Sequence, residues 1–203
     1  MILDFGCGSG RIWAQKNEQV IGVDINRSRL EIARKSIQVI CCDGRFLPFR
    51  DRVFRWVISD SVLEHIQGYR KALVEMKRVT SDGGRCTIIQ PVDNDPLFVL
   101  ARRVVGAWDR DKIYSKFTSG HLLRSMSQSF RISSVRYLPN APMAGILGFF
   151  HRKTPRILST LDRYYKEFCQ LTRIFHWEVI IEASIPPQSG SELLLGKKAV
   201  SEE

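Results

Sequence analysis

The segment MILDFGCGSGR, residues 1–11, constrains this chain more than any other. Ile2 and Leu3 read as the end of a buried strand. Asp4 follows, and Gly6, Gly8 and Gly10 alternate behind it. Glycine at that density marks a turn that needs positive φ or brings backbone close to a ligand. A strand running into such a turn and then a helix start points to a nucleotide-cofactor site in a parallel sheet. The dinucleotide form wants a small residue three positions after the second glycine, and that position holds Arg11. The spacing is G-x-G-x-G, so a pyrophosphate is the less favoured ligand.

Downstream the pattern alternates. QVIGVD (19–24), IQVICC (37–42), FRWVIS (54–59) and RCTIIQ (85–90) read as strands. NRSRLEIARK (26–35) and residues 65–79 carry apolar positions at helical spacing, and Gly83-Gly84 breaks the chain before the strand at 85. Repeated β-α-β units with short turns predict an α/β fold: a doubly wound, mostly parallel sheet with helices on both faces. Beyond residue 95 the pattern loosens. A helix is expected within 94–109, a Thr- or Ser-capped helix at 118–130, and strands at 131–138 and 177–183. One domain is expected over 1–185, with a helical insertion at about 139–176 before the last strand and a flexible tail over 186–203.

Two acids accompany the glycine turn. Asp24 ends the second strand, where an acid can accept from ribose hydroxyls; it can equally cap the helix that follows. Asp43-Gly44 follows the third strand, where a carboxylate could take the exocyclic amine of adenine; Asp-Gly is also an ordinary turn dipeptide.

The net charge of +10, from 31 Lys and Arg against 21 Asp and Glu, implies attraction to something anionic. The bases are spread rather than blocked, so the charge selects no single partner. No apolar run approaches the roughly 18 residues of a membrane span, and no secretory signal pattern opens the chain. The expectation is a cytoplasmic protein. The cysteines (7, 41, 42, 86, 169) form no C-x-x-C pair and have no histidine at ligand spacing, so free thiols and no metal are expected.

The ordered series of motifs resembles the class I S-adenosylmethionine-dependent methyltransferases, in the type 11 group that includes quinone-biosynthesis C-methyltransferases. LDFGCGSGR resembles the family's first motif and VIGVDINRSRLEIAR its second. CCDGRFLPF resembles the adenine-edge segment, VISDSVLEHI the fourth-strand motif, and EMKRVTSDGGRCTIIQP the helix-turn-strand that follows. The resemblance covers about the first half of the chain. It implies S-adenosyl-L-methionine as cofactor, with Asp4, Gly6, Gly8 and Gly10 at its methionine end. Asp24 would hold the ribose, Ile25 would lie against the adenine, and Asp43 and Gly44 would meet its edge. Ser59 and Asp60 would sit near the sulfonium methyl. The family has helices and further strand ahead of the glycine turn, so the resemblance predicts an N-terminally shortened domain whose cofactor pocket is open on one side.

Methyl transfer is an in-line displacement on an activated sulfonium, so alignment supplies much of the acceleration and a base is needed only for an acceptor that must lose a proton. His65 is the candidate base or orienting group; packing at a helix start is the competing role. His121 reads as structural or exposed, while His151 and His176 flank the insertion. No Asn-Pro-Pro-Tyr, Asp-Pro-Pro-Tyr or Pro-Cys segment of the base-modifying enzymes is present. The expected partner is a small-molecule acceptor, apolar or lipid-like, with nucleic acid disfavoured. The basic, apolar stretch 143–175 predicts a cap over the acceptor, against which stand plain packing of its apolar stripe on the sheet and peripheral contact with an anionic membrane. Two rival functions stay open: a non-catalytic remnant and an RNA-associated methyltransferase.

Overall fold

The computed structural model describes residues 1–13, 18–93, 117–139 and 176–186. Among them seven strands form one sheet: β1 (Ile2–Phe5), β2 (Val20–Asp24), β3 (Gln38–Cys41), β4 (Phe54–Asp60), β5 (Thr80–Pro91), β6 (Arg131–Pro139) and β7 (His176–Ser184). The described α-helices are α1 (Arg27–Ala33), α2 (Tyr69–Val79) and α3 (Ser119–Ser127). The strand order is β3-β2-β1-β4-β5-β7-β6. The first five strands are parallel, and β7 inserts antiparallel to both β5 and β6. The predicted mostly parallel, doubly wound sheet is therefore the observed one.

Side-chain alternation along the strands separates two cores. Leu3, Phe5, Val23, Val57 and Ile88 bury against Leu73 and Met76 of α2 and Leu122 and Met126 of α3. On the opposite face Ile2, Val20 and Ile58 pack with Trp13, and beside them Leu30 and Ala33 of α1 pack with Cys7. Helices thus cover both faces, and strand order reverses at β1, which lies between β2 and β4. Open α/β sheets bind ligands outside the carboxyl ends of strands at such a reversal.

Two expected boundaries move. The helix expected from residue 65 starts at Tyr69, and Leu63–His65 forms a separate 3-10 turn. Ile66 is extended and Gly68 takes φ +74°, so the chain reorients before α2 can begin. The break expected at Gly83-Gly84 is instead a bulge. Strand β5 leaves α2 directly at Thr80, pairing Thr80 with Phe54 and then Arg85 with Trp56. The cap at Thr118 is present, its side chain accepting from His121 N. The helix expected within 94–109, most of the insertion, His151 and the tail beyond 186 lie outside the described residues.

Arg78 of α2 ties down the segment between β3 and β4. It donates to Leu47 O at 3.0 Å, Phe49 O at 2.7 Å and Asp51 Oδ1 at 2.8 Å, and its Nε and Nη2 pair with Glu75 at 2.7 Å. Glu75 also accepts from Leu47 N at 2.8 Å. This clamp holds the loop that carries Asp43 against the body of the domain. No helix among the described residues is long and apolar enough to cross a membrane.

Candidate functional site

The glycine turn leaves β1 and is fastened to β2. Gly6 N and Cys7 N both donate to Val23 O, at 2.8 and 2.9 Å, and Gly8 N donates to Asp24 Oδ2 at 2.9 Å. Gly6 stands at φ +76°, and a Cβ there would lie 2.3 Å from Val62 Cγ2. Only glycine satisfies both the dihedral and the approach. Gly10 lies outside the two cavities that border the turn; it packs the end of the turn onto Ala33 of α1.

Two adjoining cavities, each of about 430 Å³, open along the carboxyl ends of β1–β4. The first is lined by Phe5, Gly6, Asp24, Ile25, Asn26, Cys42, Asp43, Gly44, Arg45, Ser61, Val62, His65, Ile66 and Gln67. The second is lined by Asp4, Gly6, Cys7, Gly8, Ser9, Arg11, Ile12, Ile32 and Asp60. Gly6 and Arg29 border both.

Asp24 accepts from Gly8 N on one oxygen and from Asn26 N at 2.8 Å on the other. The cap of α1 is Asn26, whose side chain accepts from Arg29 N at 3.1 Å. The two roles weighed for Asp24 are therefore separated: Asn26 caps, while Asp24 joins the turn to β2 and keeps a lone pair on each oxygen for a ligand. Ile25 is 72% exposed at the cavity wall, an unusual cost for a large aliphatic side chain.

Asp4 is buried and accepts from Trp13 Nε1 at 2.8 Å. Burial pushes its carboxyl up to about 6; the Trp13 hydrogen bond opposes the rise, and the charges of Asp60 and Asp24 add to it. Three carboxylates thus converge on the glycine turn of a chain whose net charge is +10. Asp43 is held below the usual carboxylate range, first by its hydrogen bonds from the Arg45 side chain. The Cys7 and Cys42 thiols are pushed up to about 12 and about 11, mainly by burial, and so stay protonated and poorly nucleophilic.

Asp4, Gly6, Gly8, Asp24, Ile25, Asp43, Gly44, Asp60 and His65 all meet the two cavities. Ser59 does not. It pairs with Phe5 and faces the α2 side of the sheet, 1% exposed, and its hydroxyl has no partner among the described residues. Strand alternation sends Asp60, its neighbour, toward the second cavity. The sequence reading missed Arg29, Arg45, Ser61, Val62 and Gln67. Ser61 holds φ +55° without being glycine, donates its N–H to Ile89 O at 2.9 Å and its hydroxyl to Asp60 Oδ1 at 2.9 Å. This positive φ lies at the end of a central strand beside the first cavity, and no residue type announces it. Gln67 contributes a backbone carbonyl, which sequence cannot flag; Arg45, two residues past an Asp, was open to recognition as an Asx-turn partner.

Comparison with known proteins agrees with this geometry. A family model described as "Methyltransferase domain" matches residues 3–88. An uncharacterised protein of Methanocaldococcus jannaschii, MJ0638, is 28% identical over 177 residues, covering 86% of this chain and 72% of its own. The bovine (Bos taurus) "Probable tRNA methyltransferase 9B" is 39% identical over 94 residues, 43% of this chain and 20% of its own. The ubiquinone/menaquinone biosynthesis C-methyltransferase UbiE of Desulfotalea psychrophila is 34% identical over 98 residues, 43% of this chain and 40% of its own. The chain thus spans less than half the length of the last two. A crystal structure of a SAM-dependent methyltransferase of Thermotoga maritima shares the fold at a TM-score of 0.64 and 17% identity, covering 90% of this chain and 81% of its own. The glycine turn on β1 and the carboxylates around it lie within or beside residues 3–88, the part that matches the methyltransferase domain model, and the whole sheet has the fold of a solved SAM-dependent methyltransferase.

Proposed function

We propose that the chain moves the methyl group of S-adenosylmethionine to a small acceptor, apolar or lipid-like and in the chemical class of phenols and hydroxyquinones. The observation that carries the cofactor half of this reading is the convergence of Asp4, Asp24 and Asp60 on the glycine turn. A cationic ligand suits that field, and Gly6, whose backbone Val62 packs against too closely for any Cβ, borders both cavities. When bound, the cofactor supplies a methyl group already activated on sulfur.

The chain's own groups then bind and orient. Asp24 offers its remaining lone pairs to vicinal hydroxyls. Ile25 and Phe5 provide apolar wall in the first cavity. Asp4 and Asp60 face positive charge in the second. His65 lines the first cavity, 37% exposed at its side chain, with Nε2 3.8 Å from Glu64 Oε1. We assign it the acceptor's proton, with the Glu64 carboxylate available to steady an imidazolium. The acceptor class is supported by the likeness to UbiE, named for quinone biosynthesis.

The test is calorimetric titration of S-adenosylhomocysteine, followed by transfer of labelled methyl. Wild-type chain is expected to bind saturably, and Asp24→Ala to weaken binding about tenfold or more, the worth of hydrogen bonds to a charged group. His65→Gln is expected to lower kcat and leave the titration unchanged. Label appearing in isoprenoid phenols or naphthols supports the acceptor class. Label appearing only in RNA overturns it in favour of a polynucleotide acceptor, the reading that the bovine relative's name favours.

A further inference from the structure

We propose that Arg45 is a positioning residue that gives the first cavity its preference for adenine, acting through Asp43. The inference rests on the cofactor reading above and adds a residue to it. Arg45 surrounds the Asp43 carboxylate. Its backbone N donates to Oδ1 at 2.9 Å, its Nε to Oδ1 and Oδ2 at 3.0 and 3.1 Å, and its Nη2 to Oδ2 at 2.6 Å. The remaining arm reaches another wall of the same cavity, where Nη1 donates to Gln67 O at 3.2 Å. One side chain therefore joins the loop after β3 to the loop before α2. The turn has little slack, because a Cβ on Gly44 would lie 2.3 Å from Phe5 Cζ.

The arithmetic of lone pairs gives the consequence. A carboxylate offers about four acceptor sites. Three N–H groups of Arg45 fill three, since the Nε–H is shared between the oxygens. The one left accepts from an amine and repels a carbonyl oxygen. Adenine carries an amine at its 6-position and hypoxanthine an oxygen, so an Asp43 kept ionised and fixed in rotation separates the two. Arg45 and Asp43 are 37% and 29% exposed, so solvent screens their attraction. What Arg45 supplies is orientation, through a two-pronged geometry that lysine cannot copy.

The experiment compares S-adenosylhomocysteine with S-inosylhomocysteine, its 6-oxo analogue, by calorimetric titration into wild type, Arg45→Ala, Arg45→Lys and Arg52→Ala. Wild type is expected to prefer the amine by about tenfold or more. Arg45→Ala is expected to reduce that preference to about twofold, with Arg45→Lys between them. Arg52→Ala, which breaks an exposed 3.1 Å ion pair with Asp82, is expected to keep the full preference. Equal weakening of both ligands in Arg45→Ala, with the preference intact, overturns the inference. Should Arg45→Ala fail to fold, an unchanged preference in folded Arg45→Lys overturns it as well. A wild type that binds neither ligand overturns the cofactor reading itself, a failure visible before any variant is measured.

Discussion

The two edges of the parallel sheet differ in their acids. At the carboxyl edge Asp4, Asp24, Asp43 and Asp60 stand with Arg11, Arg29 and Arg45 around the two cavities, and β7 brings Glu178 beside Pro91 at the same edge. At the amino edge stand Arg52, Arg55, Arg85 and Arg131, near the starts of β4, β5 and β6. The acids there, Asp51 and Asp82, are already paired, with Arg78 and Arg52. Among the described residues, four aspartates gather where the strands end and the glycine turn opens, in a chain of net charge +10. Whole-chain charge is thus a poor guide to the ligand; the field at the reversal of strand order is the better one. Burial pushes Glu178 up, with Asp60 and Glu64 adding to the rise, so the acidic edge reaches across to the antiparallel strand.

The largest expected effect is at the carboxyl edge. Gly6→Ala drives a Cβ into Val62 at a backbone dihedral of +76°. Binding of S-adenosylhomocysteine is expected to vanish from the titration, and the melting temperature to fall by the equivalent of about 1–3 kcal/mol. Retained binding would show that the turn is not where the two edges differ in function.

Next comes Asp4. Its carboxyl ionises near 3.8 in the unfolded chain and near 6 in the fold. Between those values the folded state holds a proton that the unfolded state has released. Stability therefore declines as pH rises from about 4 to 6 and is level above, a loss on the order of 2–3 kcal/mol. Asp4→Asn should remove that decline in denaturant titrations run across the window. The same proton opposes a cationic ligand, so affinity for S-adenosylmethionine is expected to rise with pH up to about 6 and to flatten in Asp4→Asn. A wild-type affinity that is level from pH 5 to 7 would remove Asp4 from the cofactor's field.

The smallest effect belongs to the amino edge. Arg52→Ala should cost no more than about 0.5 kcal/mol in chemical unfolding, as exposed ion pairs do, and leave cofactor affinity unchanged. A tenfold affinity loss from that variant would mean that the two edges are coupled through the sheet.

Much of this site was legible because its residues come in local groups. Asp4 to Gly10 follow one strand, Asp24-Ile25 the next and Asp43-Gly44 the third, and each group is marked by residue type and by a strand end. Ser59 shows the limit of that reading. It sits one residue from Asp60, and the pleat turns one inward and the other outward. A strand end can be placed from sequence to within a residue or two, but a single residue changes the face. The start of α2 slipped for a similar reason: the apolar spacing continues through Leu63 and Ile66, and the left-handed turn at Gly68 interrupts the helix without interrupting the spacing.

The sequence alone determined the class of fold and the chemistry at the strand ends, because periodicity, glycine turns and acids after strands are local properties that survive without a partner. The tertiary structure alone decided what each group has left to offer. Asp24 turned out to brace the glycine turn while Asn26 took the cap, and Asp43 proved to be held by Arg45 and, through it, by Gln67. Asp4 rose toward neutral pH because burial and two distant carboxylates act on it together. Hydrogen-bond capacity and field strength depend on which side chains meet in space, and segments far apart in the chain settle that only when the sheet has brought them together.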